Sequence, residues 1–83
     1  MQEDIIIRTE RKNESRWLTI RVPERLGAHG KALVTDDHGE ILRRFSLEVG
    51  NNAFDITPFH PGRIQVKIDT VYVTLLRRLT IEP

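Results

Sequence analysis

The sequence predicts an all-β domain, an antiparallel sandwich or small barrel of about seven short strands, and three observations carry that expectation. Apolar residues recur at every second position along most of the chain, the mark of strands with one face in a core and the other in water. Glycine, proline, asparagine and aspartate gather between those runs, where turns are needed. Helical spacing is scarce. At 83 residues there is room for one small core, so residues 1–83 read as a single domain.

Taken in chain order, Asp4 to Thr9 is expected to form an edge strand and Glu10 to Ser15 a charged loop. Leu18, Ile20 and Val22 then alternate with Trp17, Thr19 and Arg21, and Pro23 ends that run because it cannot donate to a ladder. Lys31 to Thr35 and Glu40 to Val49 supply the next two strands, the second interrupted by Arg43 and Arg44. Between them Asp36-Asp37-His38-Gly39 suits a hairpin turn. An Asp side chain can accept from the N–H two residues on, and Gly39 can adopt φ > 0 and close a bulge.

Gly50-Asn51-Asn52 is expected to be another turn, and Pro61-Gly62 fits the two central positions of a type II turn. Arg63 to Ile68 is the cleanest strand, with Ile64, Val66 and Ile68 on one face and Arg63, Gln65 and Lys67 on the other. A hairpin around Asp69-Thr70 then leads to a last run. There Val71, Val73, Leu75, Leu79 and Ile81 share a face opposite Tyr72, Thr74, Arg78 and Thr80. Arg77 falls on the apolar side, which a bulge or the sheet rim would accommodate.

Thirteen basic residues against twelve acidic ones give no charge excess that would by itself recruit nucleic acid or an anionic membrane. Cysteine is absent, which removes disulfides, thiolate metal sites and cysteine nucleophiles together. The longest aliphatic run, Ile5-Ile6-Ile7, is far short of the roughly 20 residues that cross a bilayer. Met1-Gln2-Glu3-Asp4 opens with acid and no secretory apolar stretch follows, so a cytoplasmic chain or a piece of a longer one is expected.

Chemistry-bearing motifs are few. Asp36, Asp37 and His38 could be metal ligands, but adjacent positions on a tight turn point apart, so the turn explains them better. His29 and His60 read as solvated loop residues. Ser15 and Ser46 have no base at a recognisable offset, and no phosphate loop or carboxylate pair appears, so the chain is read as non-enzymatic and free of cofactors and metals. Arg8, Arg11, Lys12, Arg16 and Arg21 lie near Trp17, as an oligonucleotide-binding barrel would require. Interleaved acids and the lack of exposed rings beyond Trp17 and Tyr72 weigh against nucleic acid.

A longer pattern is more specific. Residues 32 to 81, "ALVTDDHGEILRRFSLEVGNNAFDITPFHPGRIQVKIDTVYVTLLRRLTI", resemble the C-terminal sorting domains of the bacterial type IX secretion system. Asp36 and Gly39 match the family's first turn, and Gly50, Asn52, Asp55 and Ile56 its second segment. Pro61, Gly62, Val66 and Lys67 match the third, and Arg77-Arg78 before "LTI" the basic closing strand. Ile64 stands where the family commonly has tyrosine, and the family's Asn-Pro opening is absent.

The resemblance implies an immunoglobulin-like sandwich of seven strands, secreted or displayed at the cell surface with a parent protein. Its partner would be a protein, an outer-membrane translocon that releases or anchors attached cargo. Arg63, Lys67, Arg77 and Arg78, on the final hairpin, are the candidate partner-binding residues. A freestanding immunoglobulin-like adhesion or binding domain is the other reading of the same pattern.

Overall fold

The computed structural model describes residues 5–26 and 30–83. His29 and the first residue of the expected Asp4–Thr9 strand lie outside the described residues. Seven strands follow one another: β1 Ile6–Lys12, β2 Ser15–Val22, β3 Gly30–Asp36, β4 Ile41–Leu47, β5 Gly50–Asp55, β6 Gly62–Asp69 and β7 Thr74–Ile81. One turn of 3-10 helix, Glu24–Leu26, follows β2 and was not expected. Every strand pairing is antiparallel, in two sheets ordered β1-β2-β5 and β4-β3-β6-β7. The fold is an immunoglobulin-like β-sandwich. In the constant-type arrangement the fourth strand lies beside the fifth; here it lies beside the third, giving a sheet of three against a sheet of four.

The alternation dictates the packing. Leu18, Ile20 and Val22 from β2 face Ala32 and Val34 from β3 and Ile64, Val66 and Ile68 from β6, all buried, with Ile56 and Ile81 completing the cluster. No polar or charged side chain is buried among the described residues. At one open side of the sandwich the rings of Phe45 on β4 and Phe54 on β5 stack with centroids 3.9 Å apart, and the Arg43 guanidinium lies 5.6 Å from the Phe45 centroid. At the other, β1 approaches the end of β7, where Arg11 Nη1 donates to the Pro83 carbonyl at 3.3 Å.

Several boundaries differ from the sequence expectation, each for a physical reason. The expected loop Glu10–Ser15 is strand as far as Lys12, with only Asn13 and Glu14 turning and Asn13 at φ 57°. Charged residues are tolerated there because β1 is an edge strand whose second half is largely solvated; Glu10 and Lys12, two apart on one face, approach to 3.9 Å. Gly50-Asn51-Asn52 is not a turn but the start of β5. The chain reverses earlier, at Glu48 and Val49, with Gly50 at φ 94°.

The final hairpin turns through four residues, Thr70 to Val73, because Asp69 pairs with Thr74. Val71 and Tyr72 are therefore at its tip, each 71% exposed, and Val71 does not join the core face. The Thr70 hydroxyl holds this tip, accepting from the Val73 N–H at 2.9 Å and donating to the Val73 carbonyl at 3.2 Å. Pairing of β6 with β7 is unbroken through Arg77, so no bulge lies there; Arg77 is an exposed residue on the outermost strand. The register shift lies instead in β4, where Val34 pairs with Arg43 and Thr35 with Ile41, leaving Leu42 without a partner. That extra residue turns Ile41 to the outer side, while Arg43 keeps the inward parity opposite Val34 at the open side of the sandwich.

The passage from β4 in one sheet to β5 in the other depends on Asn52. Its Oδ1 accepts from the Glu48 N–H at 2.9 Å, while Nδ2 donates to the Glu48 and Ile20 carbonyls at 2.8 and 3.1 Å. Replacing Asn52 by Ala should cost about 1 to 3 kcal/mol in urea denaturation, because part-buried backbone groups lose their partners. Asn52→Asp should cost at least as much at neutral pH, since a carboxylate cannot donate to the two carbonyls. A change below about 0.5 kcal/mol in both would mean that the crossing does not need this side chain.

Candidate protein-interaction surface

Directly opposed residues of an antiparallel pair project to the same side of the sheet, so the register fixes the outer face of the four-stranded sheet. Ala32, Val34, Ile64, Val66 and Ile68 point inward; Lys31, Leu33 and Thr35 on β3 and Arg63, Gln65, Lys67 and Asp69 on β6 therefore point outward. Pairing carries the same face to Arg44 and Ser46 on β4 and to Thr74, Leu76, Arg78 and Thr80 on β7. One row across the sheet reads Arg44, Leu33, Lys67, Leu76. The next reads Ile41, Thr35, Gln65, Arg78.

Of the four cations singled out in the sequence, Arg63, Lys67 and Arg78 share this outer face. Arg77 does not: it opposes Val66 on the inner side and projects at the rim, where its Nη1 donates to the Leu76 carbonyl at 3.2 Å. The structure adds Lys31 and Arg44, brought to the same face by β3 and β4. Lys31 precedes an alternating stretch and was legible in principle. Arg44 alternates with Phe45 and Leu47, but Arg43 beside it, at an inward position opposite Val34, interrupts the apolar pattern that would have marked its face.

The face has five cations, Lys31, Arg44, Arg63, Lys67 and Arg78, all exposed, and none has a side-chain hydrogen bond or ion pair among the described residues. One carboxylate joins them, Asp69, whose Oδ1 accepts from the Thr74 hydroxyl at 2.8 Å. Aliphatic side chains lie between the charges: Ile41 is 49% and Leu76 50% exposed, and Leu33 is half-buried. Beside β4 a shallow depression is bordered by Lys31, Leu33, Arg44, Ser46 and Asp69.

The turn residues set the frame for this face. Asp36 Oδ1 accepts from the N–H groups of His38 and Glu40, both at 2.9 Å, and Gly39, at φ 84°, donates to the Asp36 carbonyl at 3.1 Å. His38 is exposed and lies 3.7 Å from the Asp37 carboxylate, which also faces solvent. After β5 the Asp55 carboxylate accepts from the Thr57 N–H at 2.9 Å, and Thr57 Oγ1 accepts from the Arg16 N–H at 3.0 Å, tying the crossing to β2. The hydrogen-bonded turn in this connection is at Ile56–Phe59, where the Phe59 N–H donates to the Ile56 carbonyl at 2.9 Å. Gly62, at φ 137°, lies well beyond the roughly +80° of a type II turn and already pairs with Ile81, so Pro61-Gly62 is a strand entry.

Trp17 is on the other sheet, opposite Asp55, and Tyr72 is at the hairpin tip, so neither ring belongs to the basic face. The cleft between β1 and the end of β7 is about 80 Å³ and is lined by Thr9, Arg11, Ile56, Ile81 and Glu82 among others. No group of three or more His, Cys, Asp or Glu side chains among the described residues could hold a metal ion. No helix of the described residues is long and apolar enough to cross a membrane. No protein-family model, curated protein or solved structure matches the chain.

The Thr57 hydroxyl and backbone N–H hold the Asp55 carboxyl below its ordinary value of 3.8. A depressed folded-state pKa contributes stability that is fully present above the ordinary value and is lost as pH falls through the folded one. Asp55→Asn keeps an acceptor for the Thr57 N–H but does not titrate. Stability measured by urea denaturation should therefore fall more steeply with acidification below pH 3.8 in the parent than in Asp55→Asn. Parallel profiles would show that Asp55 does not contribute.

Proposed function

We propose that this domain is a non-enzymatic protein-recognition module of the type IX sorting kind, presented to an outer-membrane translocon that exports or anchors attached cargo. The observation that carries the reading is the position of the last strand. β7 is the outer strand of its sheet, so one row of its backbone N–H and C=O groups is open to a further strand, and Arg77 and Arg78 project to opposite sides of that edge. Self-pairing of two β7 strands about their middle would set these arginines against their own copies, which disfavours aggregation while leaving the edge open to a different partner. Recognition of this kind needs an ordered surface rather than an active site. The turn residues that carry the family resemblance support the reading too, since Asp36, Gly39, Asn52 and Asp55 hold the joins between strands.

Removing β7 would also remove the buried Ile81, so point substitutions test the reading more cleanly than truncation. A reporter carrying a secretory signal peptide at its start and this domain at its end should reach the surface or medium of a bacterium with a type IX system. The triple variant Lys67→Glu/Arg77→Glu/Arg78→Glu, shown by circular dichroism to remain folded, should be retained. A parent fusion that is folded but not exported would overturn the sorting reading. Equal export of both fusions would remove the final hairpin as the recognised element.

A further inference from the structure

We infer that the outer face of the four-stranded sheet, which shares Arg78 with the β7 edge, is itself a recognition surface, and that it takes an acidic polypeptide segment carrying apolar side chains between its carboxylates. The inference rests on reading the domain as a protein-recognition module and specifies the chemistry of a partner. The first support is charge. A chain with thirteen cations and twelve anions has no general reason to place five cations and one carboxylate on one sheet face. Among the described residues none of the five is in an ion pair, and the one carboxylate beside them, Asp69, stands opposite Lys31.

The second support is their arrangement. Arg78 directly opposes Gln65 and so lies diagonal to both Arg63 and Lys67, at roughly 7 to 8 Å between backbone positions. Arg44 and Lys67 flank Leu33, about 10 Å apart across two strand spacings. Self-repulsion within such a cluster is relieved by an incoming anion, and its three arginines, Arg44, Arg63 and Arg78, can each grip a carboxylate through two N–H groups.

The third support selects the class of anion. A single-stranded nucleic acid binds sheet faces through aromatic rings on which bases stack, and this face has no aromatic side chain among its outward residues. It presents aliphatic surface instead, at Leu33, Ile41 and Leu76, interleaved with the charges. An apolar centre with arginine around it is the composition of a protein–protein interface.

Three probes at low and moderate salt test this: a labelled twelve-residue peptide of repeated Glu-Glu-Leu, an oligoglutamate of equal charge, and an oligothymidylate of equal length. The Glu-Glu-Leu peptide should bind the intact chain best, with affinity falling as salt rises. Lys67→Glu/Arg78→Glu should weaken that binding about tenfold or more. Arg8→Glu/Arg21→Glu, the same charge change on the outer face of the other sheet, should leave it unchanged. Leu76→Ser should bring the Leu-bearing peptide down to the level of oligoglutamate.

Absence of peptide binding at low salt would overturn the inference, as would equal loss in both double variants, which reports net charge alone. Tighter binding of the oligothymidylate would give the face to nucleic acid and overturn it as well. Peptide binding as described with no export of the reporter would remove the sorting reading and leave this face standing. Export without peptide binding would do the reverse.

Discussion

The apolar seam between the two sheets is the constraint on which everything else in this domain depends. No cysteine is available for a disulfide and no polar group is buried among the described residues, so Leu18 and Ile20 against Val34, Val66 and Ile68 must hold the sheets together by packing alone. A domain of this size has roughly 4 to 12 kcal/mol of net stability, and truncating one such side chain to alanine removes about 2 to 5 of it. The same seam fixes the outside. A slip of one residue would turn every inward side chain to solvent, so placing Ile64, Val66 and Ile68 inside also places Arg63, Gln65 and Lys67 outside. The basic face is thus a geometric consequence of the core register.

A sandwich also has to pass its chain from sheet to sheet, and each passage strips backbone groups of ladder partners. Side chains supply those partners here. Asn52 bonds Glu48 and Ile20 where β4 gives way to β5, and Asp55 and Thr57 tie the next crossing to Arg16. Asp36 closes the hairpin between β3 and β4 in the same way. These polar residues are short, local in their reach and placed at the ends of strands, leaving the strand middles to apolar packing. The two kinds of interaction divide the fold between them: packing sets which face is which, and hydrogen bonds set where each strand stops.

Much of this was legible in the sequence, because both signals are local. Period-two alternation marked β2 and β6 with their correct faces and β3 as a strand, and Asp36 with Gly39 marked a turn whose geometry follows from the chemistry of Asp and Gly. What was not legible was non-local. Whether Glu10–Lys12 is loop or strand depends on β2 lying beside it, and whether Gly50–Asn52 is turn or strand depends on Ile20 accepting from Asn52 across the sheet. The unpaired Leu42 changes the parity of β4 without a glycine or proline to announce it. It turns only Ile41 to the outer face; Arg44 alternates with Phe45 and Leu47, but Arg43 beside it at an inward position interrupts the apolar pattern, and the candidate surface was seen only in its β6 and β7 half.

The central claim is that the sandwich is satisfied in its middle strands and left open along β7. Native-state amide hydrogen exchange, followed residue by residue at low protein concentration, tests it most directly. Protection should run continuously along β3 and β6, which are paired on both sides, and should alternate along β7, with every second amide between Thr74 and Thr80 exchanging fast. Continuous protection along β7 would mean that its outer row of backbone groups is already paired, and would contradict the account.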